Sequence, residues 1–166
     1  MTAAASDSAR AAGPSVVTAG DPSGPKVIVL DPAGAGKHDG LPATWRPLAE
    51  RRGVFWCRVP AGGALGEADD LLGDHGPGDP EIAVVAGGSS AATALQFIER
   101  HPGAATFLLL VDPDSDSDSP AGRDDVVTKV REAGTDVQVL SADAEDPLPL
   151  GHPDVVAAVR AALGDV

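Results

Sequence analysis

The sequence contains little cysteine and few aromatic residues, and each shortage excludes a class of protein. Cys57 is the single cysteine, so the chain has no intramolecular disulfide and no cysteine-based zinc cluster. It lies inside the apolar segment 54–59, which predicts a small buried hydrophobic residue rather than a reactive thiol. Aromatic residues make up 3% of the chain, which argues against a large ligand pocket lined by rings.

Basic residues are also scarce. The chain has 12 lysine and arginine residues against 25 aspartate and glutamate residues, a net charge of −13 at pH 7. Such a charge repels the phosphate backbone of a nucleic acid and an anionic membrane surface. We therefore expect neither a nucleic acid nor a membrane as a partner.

Long apolar runs and a secretory signal are missing as well. No apolar run approaches the length that crosses a bilayer. Residues 1–14 are rich in alanine, serine and glycine, without a basic segment followed by an apolar core, so they do not resemble a signal peptide. We expect a disordered leader over 1–14, a single domain over 15–166, and a cytoplasmic location.

Apolar strand-like segments alternate with helical segments along the rest of the chain. The predicted strands are 16–18, 26–31, 54–59, 82–86, 106–111 and 137–140. The predicted helices are 43–52, 61–73, 90–100, 123–133 and 153–163. This alternation predicts an α/β fold, a three-layer sandwich around a mostly parallel sheet of about five or six strands. Binding sites in such sheets lie at the carboxyl ends of the strands.

The most informative segment is 81–102. Its apolar run breaks at Gly87 and Gly88, meets Ser89, and passes without a spacer into an alanine-rich helical stretch. Glycines permit the strained backbone of a sharp strand-to-helix turn, which raises the next side chain above the sheet. Ser89 is therefore the candidate nucleophile.

A glycine-rich loop, 32–40, follows the strand 26–31. It is not a phosphate-binding loop of the Walker type, because Asp31 and His38 stand where that pattern needs a glycine and a hydroxyl residue. It also lacks the third glycine of the dinucleotide-binding pattern, since Asp39 stands there. The loop suits either backbone N–H donation to an oxyanion or a plain connecting turn. We expect no cofactor.

Carboxylates are concentrated in segment 112–119, at the end of another predicted strand. The spacing of a calcium-binding EF-hand is absent, so we expect a flexible acidic loop and no metal site. Its charge would bias a neighbouring site toward neutral or cationic ligands.

With the glycine loop, the Ser89 turn and the strand pattern in view, the chain resembles the α/β-hydrolase superfamily, especially its capless, thioesterase-like or lipase-like members. The matching segments are 20–36 for the third strand and oxyanion loop of the family, 43–52 for its first helix, 85–102 for its nucleophile elbow, and 137–149 for the loop that carries its acid. The fold implied is a reduced core of that family.

The resemblance implies a serine hydrolase, an esterase or thioesterase acting on a small or carrier-bound acyl group. It implies a catalytic triad and an oxyanion or substrate-binding set. The implied residues are Ser89, Asp146 and His152 for the triad, and Ala33, Gly34, Gly88, Ser90 and His38 for the second set. His38 is also open to interpretation as an alternative base or as a solvated loop residue.

The chain departs from the family pattern at two places. Ala91 replaces the last glycine of the elbow, and an alignment anchored on 94–97 shifts the register so that Gly88 takes the nucleophile position. The chain ends at residue 166, which leaves too little sequence after Asp146 for the eighth strand of the family. His152 is then either the base or a solvent-facing residue at the start of the last helix.

These departures support a second hypothesis. The chain would be a hydrolase-like scaffold that has lost its triad and acts as a binding protein, a partner subunit or a non-hydrolytic isomerase or cyclase. Without an eighth strand, 137–140 would form an exposed parallel edge, which tends to pair with another chain. We therefore expect a homodimer that covers this edge.

Overall fold

The computed structural model describes residues 16–21, 24–31, 43–58, 64–76, 78–87, 90–111, 120–140, 150 and 152–163. The strands are β1 (Val16–Ala19), β2 (Lys26–Asp31), β3 (Gly53–Arg58), β4 (Ile82–Gly87), β5 (Phe107–Val111) and β6 (Asp136–Leu140). The helices are α1 (Arg46–Ala49, after a 3-10 turn at Ala43–Trp45), α2 (Ala64–Gly73), α3 (Ser90–Arg100), α4 (Pro120–Glu132) and α5 (Pro153–Leu163).

The strands form one sheet in the order β1-β3-β2-β4-β5-β6. β1 pairs antiparallel with β3, and the remaining neighbours are parallel. The described part of the chain thus confirms the predicted α/β fold, the mostly parallel sheet and the short edge strand at its start.

Helices cover both faces of the sheet. Alternate residues of β2 face opposite layers: Ile28 and Leu30 belong to one apolar cluster, and Val27 and Val29 to the other. The first cluster includes side chains of α2, α3 and α4, and the second includes side chains of α1 and α5. Because both faces are covered, the central strands are apolar without alternation, as in other parallel sheets. The result is the predicted three-layer sandwich.

Some element bounds differ from the predicted ones. The helix predicted at 43–52 is a 3-10 turn followed by a single α-helical turn, because the amides of Arg51 and Arg52 both donate to the Leu48 carbonyl and close the helix before β3. α4 begins at Pro120 rather than at 123, since proline favours the first helical position. The leader 1–14 and the loop 112–119 lie outside the described residues.

Cys57 is fully buried in the cluster beneath α2 and α3. Burial, with a smaller contribution from the Glu67 carboxylate, raises the pKa of its thiol to about 12. The thiol therefore stays protonated at neutral pH, and the predicted role as a small core residue is confirmed. Among the described residues, none of the helices has both the length and the apolar character needed to cross a membrane.

Gly20 follows β1 with a φ of 81°. A Cβ there would overlap the backbone carbonyl oxygens of Ala49 and Arg52, which cannot swing away as a side chain does. We expect Gly20→Ala to lower the free energy of unfolding by about 3 kcal/mol, from a left-handed backbone plus overpacking.

Gly134→Ala is the matched control, because Gly134 has a φ of 105° but no neighbouring atom within 4 Å of the position that a Cβ would take. Its free energy of unfolding should fall only by the cost of a left-handed backbone at a residue with a Cβ, about 1–2 kcal/mol. Urea unfolding of both variants gives the comparison. Equal losses would show that the carbonyl overlap at Gly20 has no energetic effect.

Candidate functional site

The chain reverses its winding direction between β2 and β4, which are neighbours in the sheet. β2 continues through α1 to β3 on one side, and β4 continues through α3 to β5 on the other. α1 and α3 also lie on opposite faces of the sheet. Such a switch point opens a crevice at the carboxyl ends of the two strands, where ligands bind in open α/β sheets.

The two segments singled out from the sequence follow the two strands of the switch point in the chain. The glycine loop follows β2, and the Gly88-Ser89 turn follows β4. Most predicted site residues belong to segments outside the described part of the chain. These are Ala33, Gly34, His38, Gly88, Ser89 and Asp146. Their roles stay predictions, and Ser90 and His152 are the two members whose positions are described.

Ser90 is the first residue of α3 and is buried, with 4% of its surface exposed. The first backbone N–H groups of a helix have no partner inside the helix and point out of its amino end. The Ser90 amide is one of these N–H groups and lies just after the carboxyl end of β4.

The segment before α5 is fixed to this same end of the sheet. Leu150 is buried, and a Cβ built on Gly87 would lie 3.0 Å from the Leu150 Cδ2 atom, so no larger residue than glycine fits there without displacing Leu150. The buried Trp45 Nε1 donates to the Leu150 carbonyl over 2.7 Å. His152 follows Leu150 by two positions in the sequence, just as Ser89 follows Gly87. The fold thus brings Leu150 to the carboxyl end of β4.

His152 caps the amino end of α5. Its carbonyl accepts the amides of Val155 and Val156, and its Nδ1 accepts the amide of Asp154 over 3.1 Å. Its side chain is 38% exposed. In a neutral imidazole, a ring nitrogen that accepts a hydrogen bond carries no proton, so a neutral His152 that keeps this hydrogen bond has its proton on Nε2. A triad base needs the opposite tautomer, with Nδ1 protonated and Nε2 free to accept.

A buried polar cluster that the sequence did not reveal lies at the carboxyl ends of β2 and β3. Asp31 and Arg58 are opposite each other in the parallel register and are 2% and 3% exposed. Trp56 Nε1 donates to Asp31 Oδ2 over 2.9 Å. Because register partners point to the same face, the Asp31 and Arg58 side chains leave two neighbouring strand ends toward the same layer.

The polar cluster is connected to the Leu150 segment through two indole rings. Trp45 meets Trp56 edge to face, with ring centroids 5.2 Å apart and an angle of 82°. A continuous series of buried contacts therefore leads from the end of β2 to the segment before α5. It runs from Asp31 to Trp56, then to Trp45, and finally to Leu150. One sequence signal was available: β2 and β3 have apolar interiors, and each ends in a charged residue.

No group of three or more histidine, cysteine, aspartate or glutamate side chains with metal-binding geometry occurs within the described ranges. Comparison of the chain with protein-family models, with curated proteins and with solved structures finds no significant match.

Proposed function

We propose that this protein is an α/β-hydrolase-like serine esterase or thioesterase that acts on a small or carrier-bound acyl group. The observation that carries the proposal is the switch point between β2 and β4, where the glycine loop and the Gly88-Ser89 turn both leave the sheet. In α/β-hydrolases the oxyanion hole uses the N–H after the nucleophile and an N–H from the loop of a neighbouring strand. The neighbouring carboxyl ends of β2 and β4 support the proposal, because the two segments that would supply these N–H groups follow them in the chain.

In the proposed reaction, Ser89 Oγ attacks the acyl carbonyl while the amides of Ser90 and of Ala33 or Gly34 stabilise the oxyanion. His152 accepts the serine proton through Nε2 and gives it to the departing alcohol or thiol, while Asp146 accepts a hydrogen bond from Nδ1–H. Water then attacks the acyl-serine by the same route, which releases the acid and restores Ser89. This step requires His152 Nδ1 to leave the Asp154 amide, because that nitrogen must carry a proton in the active tautomer. Activation therefore includes a rearrangement at the first turn of α5.

Labelling with a fluorophosphonate probe tests the proposal. The probe forms a covalent bond with a serine only where a base and an oxyanion hole activate that serine. We expect one label per chain, lost in Ser89→Ala and kept in Ser90→Ala, because the role of Ser90 is carried by its backbone amide. Mass spectrometry of the labelled peptide identifies the position. An unlabelled wild-type chain, or a label that persists in Ser89→Ala, would exclude the nucleophile.

The capping role of His152 favours a second candidate, a hydrolase-like scaffold without turnover that acts as a binding protein or partner subunit. In it, His152 stabilises α5 and has no catalytic step. We propose a homodimer in this case, formed through β6, which is the last strand of the described sheet and carries Val139, a large apolar side chain that is 55% exposed. A monomer at micromolar concentration in light scattering would contradict the dimer.

A further inference from the structure

A second cavity opens at the other end of the sheet. It lies between the carboxyl ends of α2 and α3, next to the segments that lead into β4 and β5, and has a volume of about 500 Å³. Three nitrogen-bearing side chains line it: His75, Arg100 and His101. The other lining residues are glycine, proline, alanine and leucine, and no described acidic side chain is among them. Three nitrogen-bearing side chains around one cavity stand out in a chain with a net charge of −13.

A single carboxylate outside the lining holds two of these groups in place. Asp69 Oδ2 accepts from Arg100 Nη1 over 3.1 Å, and Asp69 Oδ1 lies 2.8 Å from His101 Nε2. The guanidinium also lies over the Phe97 ring, 5.7 Å from its centroid. Arginine has five N–H donors, so most of them remain for another acceptor. The pair is oriented before any ligand arrives, which reduces the entropy lost on binding.

The third group, His75, carries an unsatisfied nitrogen. Its Nε2 is buried and has no hydrogen-bond partner within the described part of the chain. A buried polar nitrogen without a partner is unfavourable. A turn of the imidazole toward the cavity would give this nitrogen an acceptor if an anionic oxygen were bound there.

We propose that this cavity binds a small molecule with an oxyanion head group, a phosphate or a carboxylate. A guanidinium and an imidazole N–H are donors that such head groups bind through charge-assisted hydrogen bonds. The volume is in the range of small-molecule sites and exceeds that of a bare ion, so the body of the ligand packs over the glycine-rich segments beside the head group. The cavity is separate from the β2–β4 crevice, and the proposal holds for an enzyme and for a scaffold alike.

Nuclear magnetic resonance of the full chain, labelled with nitrogen-15, tests the site with inorganic phosphate and, in a separate arm, acetate. Ionic strength is kept constant with sodium chloride. We expect saturable shifts of the His75 and His101 imidazole signals while the His152 signals stay in place. The arm that saturates at lower concentration identifies the preferred head group.

Arg100→Gln is expected to weaken binding at least about tenfold, the loss typical of one charge-assisted hydrogen bond. Arg46→Gln is the matched control. Arg46 is exposed on α1, which covers the opposite face of the sheet from the two helices that border the cavity. The Arg100 side chain is 56% exposed, so its replacement leaves the core intact, and the spectrum reports the fold directly. Shifts that never saturate in either arm, or equal affinities of the two variants, would overturn the proposal.

Discussion

Replacement of Trp45 by alanine is expected to lower the free energy of unfolding by about 3–5 kcal/mol, the range measured for large aromatic residues truncated in protein cores. Trp45 is fully buried, although it lies in a short 3-10 turn before a helix of a single turn. Its ring packs edge to face against Trp56, and its Nε1 donates to the Leu150 carbonyl. One side chain therefore connects β3 to the segment before α5.

Trp45→Phe separates the two contributions of this side chain. It keeps an aromatic ring in the core but leaves the buried Leu150 carbonyl without its donor, which costs about 1–3 kcal/mol. Urea unfolding measures both variants. Hydrogen exchange adds a local readout, since amides at the first turn of α5 should exchange faster when Leu150 is released. If Trp45→Phe matched the wild type in both measurements, the Trp45–Leu150 hydrogen bond would have no role in holding α5 against the sheet.

The local elements of this fold follow closely from sequence periodicity. β2, α3 and α5 have the bounds that their apolar patterns predict. Each has strong local signals: β2 is a continuous apolar run, α3 follows two glycines, and α5 begins at a proline and carries Val155, Val156 and Val159 on one buried stripe. In these segments local preference and tertiary burial favour the same structure, so either one is enough to predict it.

The segment 43–52 shows where this agreement fails. Its composition permits a longer helix, yet Gly53 already begins β3, with its amide bonded to the Pro25 carbonyl and its register set by β2. Residues 50–52 form the turn that leads into β3 at the position this register requires, and the helix ends before that turn. Such a conflict is decided by contacts between segments distant in sequence, which a periodicity window does not contain.

The same reason explains which site features were missed. Asp31 and Arg58 become neighbours only through the β2–β3 register, and His75 and Arg100 share a cavity only because α2 and α3 end on the same side of the sheet. The sequence predicts a site at the carboxyl ends of the strands, because open α/β sheets bind ligands there. It does not predict that β2 and β4 are the two strands that border the crevice. The tautomer of His152 depends on one backbone hydrogen bond, which no pattern of residue types reveals.

Asp31→Ala is expected to destabilise the protein by about 3 kcal/mol, although Asp31 is small and lies at the end of a strand. The substitution removes the acceptor of the buried Trp56 N–H and deletes a buried negative charge at the strand end that lies opposite Arg58 in the register. Asp31→Asn keeps the side-chain volume and an acceptor oxygen while removing the charge. Its free energy of unfolding should therefore fall less than that of the alanine variant. Asp125→Ala, at an exposed position of α4, serves as the control and should stay within about 0.5 kcal/mol of the wild type.

A double-mutant cycle with Trp56→Phe then measures the hydrogen bond itself. If the indole donates to Asp31 as the 2.9 Å distance indicates, the double variant should lose about 1 kcal/mol less unfolding free energy than the two single variants lose together. Additive losses would instead mean that Asp31 acts mainly through its charge near Arg58. A loss no larger than that of Asp125→Ala would show that the carboxylate does not stabilise the buried cluster, and the rim of the crevice would then have no fixed polar support.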